Sequence, residues 1–130
     1  MPLDSEHLRS HFLGAWGADT CYPHMSAEWS PENPARDQCG MTALVVHDIA
    51  GGTLVHAEVH VGGRQIGHHY WNRLPDGSDL DLASDQFLSE EMLVGGEVLV
   101  RPPGATGRHR EQCELLRSRV LAAIAAWPDC

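Results

Sequence analysis

Near the start of the chain, Leu8, Phe12, Ala15 and Trp16 recur at helical spacing behind Asp4 or Ser5 as an N-cap, which predicts an amphipathic helix over Asp4 to Ala15. From Gly17 to Gln38 no period is sustained and Pro23, Pro31 and Pro34 interrupt the chain. With Tyr22, Met25 and Trp29 also present, this stretch reads as an ordered loop packed against the body. From Cys39 to Ala50 the residues Met41, Ala43, Leu44, Val45, Val46 and Ile49 are apolar around most of the circumference, and Gly51-Gly52 ends the run. The β-branched content also permits a strand, but an unbroken run of about twelve residues favours a buried helix.

The pattern then changes period. Thr53 to His60, Gln65 to Leu74 and Ser78 to Leu82 alternate, are rich in Val, Tyr and Trp, and are divided by Gly62-Gly63 and Pro75-Asp76-Gly77. They read as three antiparallel strands in a meander. A short irregular segment follows, broken by Gly95-Gly96 and Pro102-Pro103, and Leu116, Val120, Ala123, Ile124 and Trp127 mark a last helix. The expected class is α+β: a central buried helix opening with Cys39, packed on an antiparallel sheet of three or more strands, with flanking N- and C-terminal helices.

Turn chemistry sets which side chains meet. Leu74-Pro75-Asp76-Gly77 has proline where a type I turn wants a preset φ and glycine where the next residue must be left-handed, predicting a three-residue loop with a bulge. Leu74 then pairs with Ser78, Arg73 faces Asp79, and Trp71 faces Asp81. Asp81 becomes a diagonal neighbour of His69, about 7–8 Å away between backbones. A two-residue turn would send Asp81 to the other face.

Composition narrows the chemistry. At 130 residues, with 42% apolar and 21% charged residues, residues 1–130 are expected to form one domain with one core. The net charge of −9, from 18 acidic residues against 9 arginines, disfavours a phosphate backbone as partner. Lysine is absent, which excludes Schiff-base and pyridoxal-phosphate attachment and a P-loop lysine. The acidic N-terminus lacks the basic-then-apolar pattern of a secretory signal, and no window has the roughly 18 apolar residues of a membrane span. A soluble cytoplasmic protein is expected. Cys21, Cys39, Cys113 and Cys130 are too far apart for a Cys-x-x-Cys pair, so free thiols are expected.

Among these thiols Cys39 is singled out, because the unsatisfied amides and dipole of a helix entrance favour a thiolate. His69 is its candidate base and Asp81 the carboxylate that orients the imidazole. Gln38 is the candidate oxyanion donor, and Trp71 a substrate-side residue. A rival set is metal-binding: a two-residue hairpin at Gly62-Gly63 would make His56 face His69 and put His56, Glu58, His60 and His69 on one sheet face. Trp16, Trp29 and Trp127 read as packing anchors.

The blocks Asn33-Pro34 through Gln38-Cys39-Gly40-Met41-Thr42-Ala43-Leu44-Val45-Val46, Gly51-Gly52, His69 through Gly77, Asp79-Leu80-Asp81-Leu82 and Gln86-Phe87 resemble the small bacterial YunG-like proteins. That resemblance implies a fold more than an activity. More widely, the chain resembles transglutaminase-like and papain-like cysteine enzymes, in which a cysteine opens the central helix, a histidine in a His-x-Trp element lies on a strand, and an aspartate lies on the next. Cys39, His69 with Trp71, and Asp81 match those roles in order. The resulting expectation is a cysteine-dependent hydrolase or acyltransferase acting on an amide, ester or thioester carbonyl of a small molecule or peptide, with no cofactor. The alternatives are a non-catalytic binding or accessory protein that keeps the fold, and a metal-dependent enzyme using His56, His60 and His69.

Overall fold

The computed structural model describes residues 5–84, 90–99 and 109–126. Helix α1 (Ser5–Ala15) and the central helix α2 (Cys39–Ala50) fill the stretches that the apolar periodicity predicts. Between them, Pro23 opens a 3-10 helix (Pro23–Glu28) inside the long connection, proline being suited to a first helical turn. Four antiparallel strands follow: β1 (Thr53–Val61), β2 (Arg64–Arg73), β3 (Asp79–Leu80) and β4 (Met92–Leu99). Their spatial order is β3-β2-β1-β4, and helix α3 (Arg110–Ala126) comes last. The class is α+β, with three α-helices and a four-stranded antiparallel sheet among the described residues.

Strand β4 corrects the expectation of an irregular segment. Gly95-Gly96 reads as a break, but Gly95 has φ +84° where the β1–β4 register shifts between His56 and Glu58. The glycine absorbs a bulge, and the strand continues through it. Helix α3 likewise starts at Arg110, well before the apolar pattern that reveals it. Asp4, Gln86, Phe87, Pro102, Pro103, Trp127 and Cys130 lie outside the described residues.

The helices share one cluster, in which Leu8 and Phe12 of α1 meet Val45 and Val46 of α2 and Leu116 and Val120 of α3. Tyr70, Leu74 and Leu80 bring the sheet into it. Buried polar contacts fix the orientation of α2 within this apolar contact: the Trp16 indole N–H donates to Thr42 Oγ1, and Asn72 Nδ2 donates to the Ala43 carbonyl, both at 2.9 Å. Each satisfies a group whose burial without a partner would cost about 1–3 kcal/mol. No described helix is long and apolar enough to cross a membrane.

Candidate active site

Cys39 is the first residue of α2 and is 2% exposed. Its Sγ lies 3.9 Å from the His68 carbonyl of β2. Strand β3 pairs with β2 only at Asn72 and Arg73, so no described strand covers that edge of β2 at His68. The N-terminus of α2 reaches this uncovered edge. From an edge both faces of a strand are within reach, which is how α2 meets Asn72 through Ala43 and His69 through Cys39.

His69 is fully buried, and its Nε2 lies 2.6 Å from Asp81 Oδ2. With Nε2 engaged by the carboxylate, Nδ1 is the nitrogen left for the hydrogen bond to Cys39. Burial pushes the imidazole pKa down, but the hydrogen bonds to Asp81 and Cys39 and the charges on both outweigh it, and the pKa rises to about 9. Asp81 Oδ1 is also buried and meets no donor among the described residues. Among the described residues the imidazole is the hydrogen-bonding partner seen for this carboxylate.

The turn that sets this geometry has the predicted form. Leu74 N–H donates to the Ser78 carbonyl at 2.8 Å, Gly77 N–H donates to the Leu74 carbonyl at 2.9 Å, and Arg73 pairs with Asp79. Asp79 binds the Arg73 guanidinium at 2.7 Å and the Trp71 indole N–H at 3.2 Å. Trp71 in turn stacks on His69, with ring centroids 5.6 Å apart and an interplanar angle of 26°.

The rival metal-binding set does not assemble. The β1–β2 hairpin does close at Gly62-Gly63, with Val61 opposite Arg64, but a register shift between Val59 and His60 inserts Ile66 as an extra residue. His56 therefore faces Tyr70, Glu58 faces His68, and His69 faces Ala57. That one-residue shift places His69 on the face opposite His56, Glu58 and His60. His56 Nε2 instead meets His68 Nδ1 at 2.7 Å, and His60 Nε2 meets Glu58 Oε1 at 2.8 Å. Among the described residues no group of three or more His, Cys, Asp or Glu is placed to hold a metal ion.

Gln38 is fully buried, and its carboxamide is engaged within the loop rather than at the sulfur. Its Nε2 donates to the Gly17 carbonyl at 2.9 Å, and its Oε1 accepts from Thr20 Oγ1 at 2.8 Å. It ties the start of the long connection to its end. The residue that does approach Cys39 is Tyr22, whose Oη lies 3.6 Å from Sγ. The sequence pattern marks Tyr22 only as a loop anchor, because its proximity to Cys39 arises from loop closure rather than from any periodicity. The other described thiols are placed differently. Cys21 Sγ lies 3.4 Å from the Ala18 carbonyl, and burial, then Asp37, push its pKa up; Cys113 lies 3.7 Å from the Arg117 guanidinium.

Comparison with known proteins gives two matches. A family model described as YunG protein matches residues 4–125. A Bacillus subtilis (strain 168) protein bearing the name "Uncharacterized protein YunG" is 33% identical over 82 residues, covering 63% of this chain and 62% of the relative. The chain thus spans less than two thirds of that relative's length. No solved structure gives a significant match.

Proposed function

The chain belongs to the YunG family, and within it we propose a cysteine-dependent enzyme that attacks the carbonyl of an amide, ester or thioester. The observation that carries this reading is the chain of contacts from Asp81 through His69 to Cys39 at the entrance of a buried helix. An imidazole with a pKa of about 9 is protonated at neutral pH, and a cationic imidazole beside Sγ is the partner that a thiolate nucleophile requires. The order of cysteine on a central helix, histidine on a strand and aspartate beyond the next strand also supports reading the core as transglutaminase-like or papain-like.

In the proposed cycle, the Cys39 thiolate adds to the carbonyl carbon and the C=O electron pair moves to oxygen. As the intermediate collapses, the bond to the leaving group breaks and His69 gives that group its proton. The product is a thioester on Cys39 and a neutral imidazole. An incoming water or amine then loses a proton to His69 as it attacks, and the thiolate departs. Asp81 holds the ring by Nε2 throughout, keeping Nδ1 toward sulfur. Trp71, stacked on the imidazole, restricts its rotation and walls the substrate side.

Limiting iodoacetamide across pH, with the adducts located by mass spectrometry, tests the reading. Cys39 should be alkylated ahead of Cys21 and Cys113 well below pH 8, and Cys39→Ala should abolish that labelling while keeping stability within about 1–2 kcal/mol. An adduct distributed evenly over the thiols, or absent from Cys39, overturns the proposal.

A further inference from the structure

We propose that Tyr22 is a catalytic residue of this site, its hydroxyl donating a hydrogen bond to the oxyanion that forms when Cys39 Sγ adds to a carbonyl. The inference rests on the cysteine-nucleophile reading and assigns within it the group that stabilises the intermediate.

Three observations place the hydroxyl. Tyr22 Oη is 3.6 Å from Sγ, and the Gly40 backbone amide also hydrogen-bonds to it. A Cβ on Gly40 would lie 2.6 Å from Oη, so the absence of a side chain at Gly40 is what admits the hydroxyl over the first turn of α2. Tyr22 is itself held from behind. Its N–H donates to the Asp37 carbonyl at 3.1 Å, and its ring packs edge-on against His109 with centroids 5.3 Å apart. The Gln38 bonds to Gly17 and Thr20 close the same loop.

The chemistry follows from these positions. When the Sγ–C bond forms, the negative oxygen is bonded to that carbon and so stands one atom removed from the sulfur. A carbonyl bound with its oxygen turned toward Oη, which stands 3.6 Å from Sγ, can bring the oxyanion to the about 2.7–3.1 Å that its stabilisation needs. Burial, then the adjacent Cys39, pushes the phenol pKa well above its ordinary range, so the proton stays on oxygen and is available for donation. Accepting the Gly40 N–H leaves the phenolic hydrogen to turn toward sulfur in the resting site and toward the oxyanion in the intermediate. The proton remains on Tyr22 throughout. Collapse of the intermediate restores the C=O bond as the leaving-group bond breaks, and the hydroxyl returns to Sγ.

Two small reagents separate this role from mere positioning. p-Nitrophenyl acetate acylates the sulfur through a tetrahedral oxyanion and releases p-nitrophenolate, whereas iodoacetamide alkylates it at a saturated carbon with no oxyanion. With Cys39→Ala as background, Tyr22→Phe should slow acylation of Cys39 by about 10²-fold, while alkylation changes by less than about threefold. Gly40→Ala, which displaces the hydroxyl without removing it, should show the same selective loss and serves if Tyr22→Phe does not fold. Parallel losses with both reagents, or no loss with either, overturn the role of Tyr22 while leaving Cys39 a nucleophile. A wild-type Cys39 inert to both reagents overturns the cysteine-enzyme reading itself.

Discussion

Asp79 and Asp81 sit two positions apart, yet their surroundings separate their roles. Asp79 is exposed, and its pKa is lowered by the Arg73 guanidinium and then by the Trp71 indole. Asp81 reaches inward to a fully buried imidazole. Replacing each by asparagine should therefore give different titrations of His69 by NMR. In the wild type the imidazole midpoint should lie near pH 9; Asp81→Asn should move it down, toward the ordinary 6.5, because the largest upward influence is removed. Asp79→Asn should leave it close to the wild-type value. Cys39→Ala should also lower the midpoint, since Cys39 is the next contributor. A His69 midpoint that ignores Asp81→Asn and follows Asp79→Asn would show the orienting carboxylate to be Asp79.

Among the elements, the connections between them hold these residues in register, and two glycines there test how. Gly77 closes the β2–β3 loop at φ +89° with open space where a Cβ would stand, so Gly77→Ala adds backbone strain alone, about 1–2 kcal/mol. Gly52 joins α2 to β1 at φ +84°, and a Cβ there would approach the Arg73 carbonyl oxygen to 2.1 Å. Gly52→Ala therefore adds a backbone clash to the same strain and should cost roughly 3 kcal/mol or more. Urea unfolding of both variants checks the order; equal losses would mean that the contact between this junction and the end of β2 relaxes freely. A second tie crosses elements, where Arg36 grips Glu91 at 2.6 and 3.2 Å, joining the segment before α2 to the segment before β4. The Glu91 side chain is 2% exposed, so Arg36→Ala should destabilise by about 2–3 kcal/mol.

At the scale of the whole molecule, the raised His69 pKa links the site to stability. The folded protein binds this proton more tightly than the unfolded chain, whose value is near 6.5. The stability that His69 contributes is thus fully present below about pH 6.5 and is lost as pH rises through about 9. Denaturant unfolding of the wild type and His69→Gln at several pH values should show their difference shrinking from neutral pH to pH 10. The comparison removes the general effect of charge on a chain of net charge −9, which both proteins share. A difference independent of pH would mean that the proton on His69 does not contribute to folding.

Much of this architecture follows from local pattern. The extent of α2 is legible because its apolar run ends at Gly51-Gly52, and the pairing of Arg73 with Asp79 is legible because proline and glycine dictate the loop between them. Both are short-range rules, in which neighbours in sequence decide the outcome. Strand β4 is hidden because Gly95-Gly96 signals a break unless a partner strand supplies the ladder that a bulge interrupts, and that partner, β1, is distant in sequence. The Ile66 bulge is hidden for the same reason, and with it the separation of His69 from His56, Glu58 and His60. Tyr22 and Gln38 take their places only when residues 17–38 close on themselves, since contact between the ends of a long loop depends on packing rather than on periodicity. Sequence determined which residues can form the helix entrance and the turn; tertiary structure decided which face each histidine occupies and which hydroxyl stands beside the sulfur.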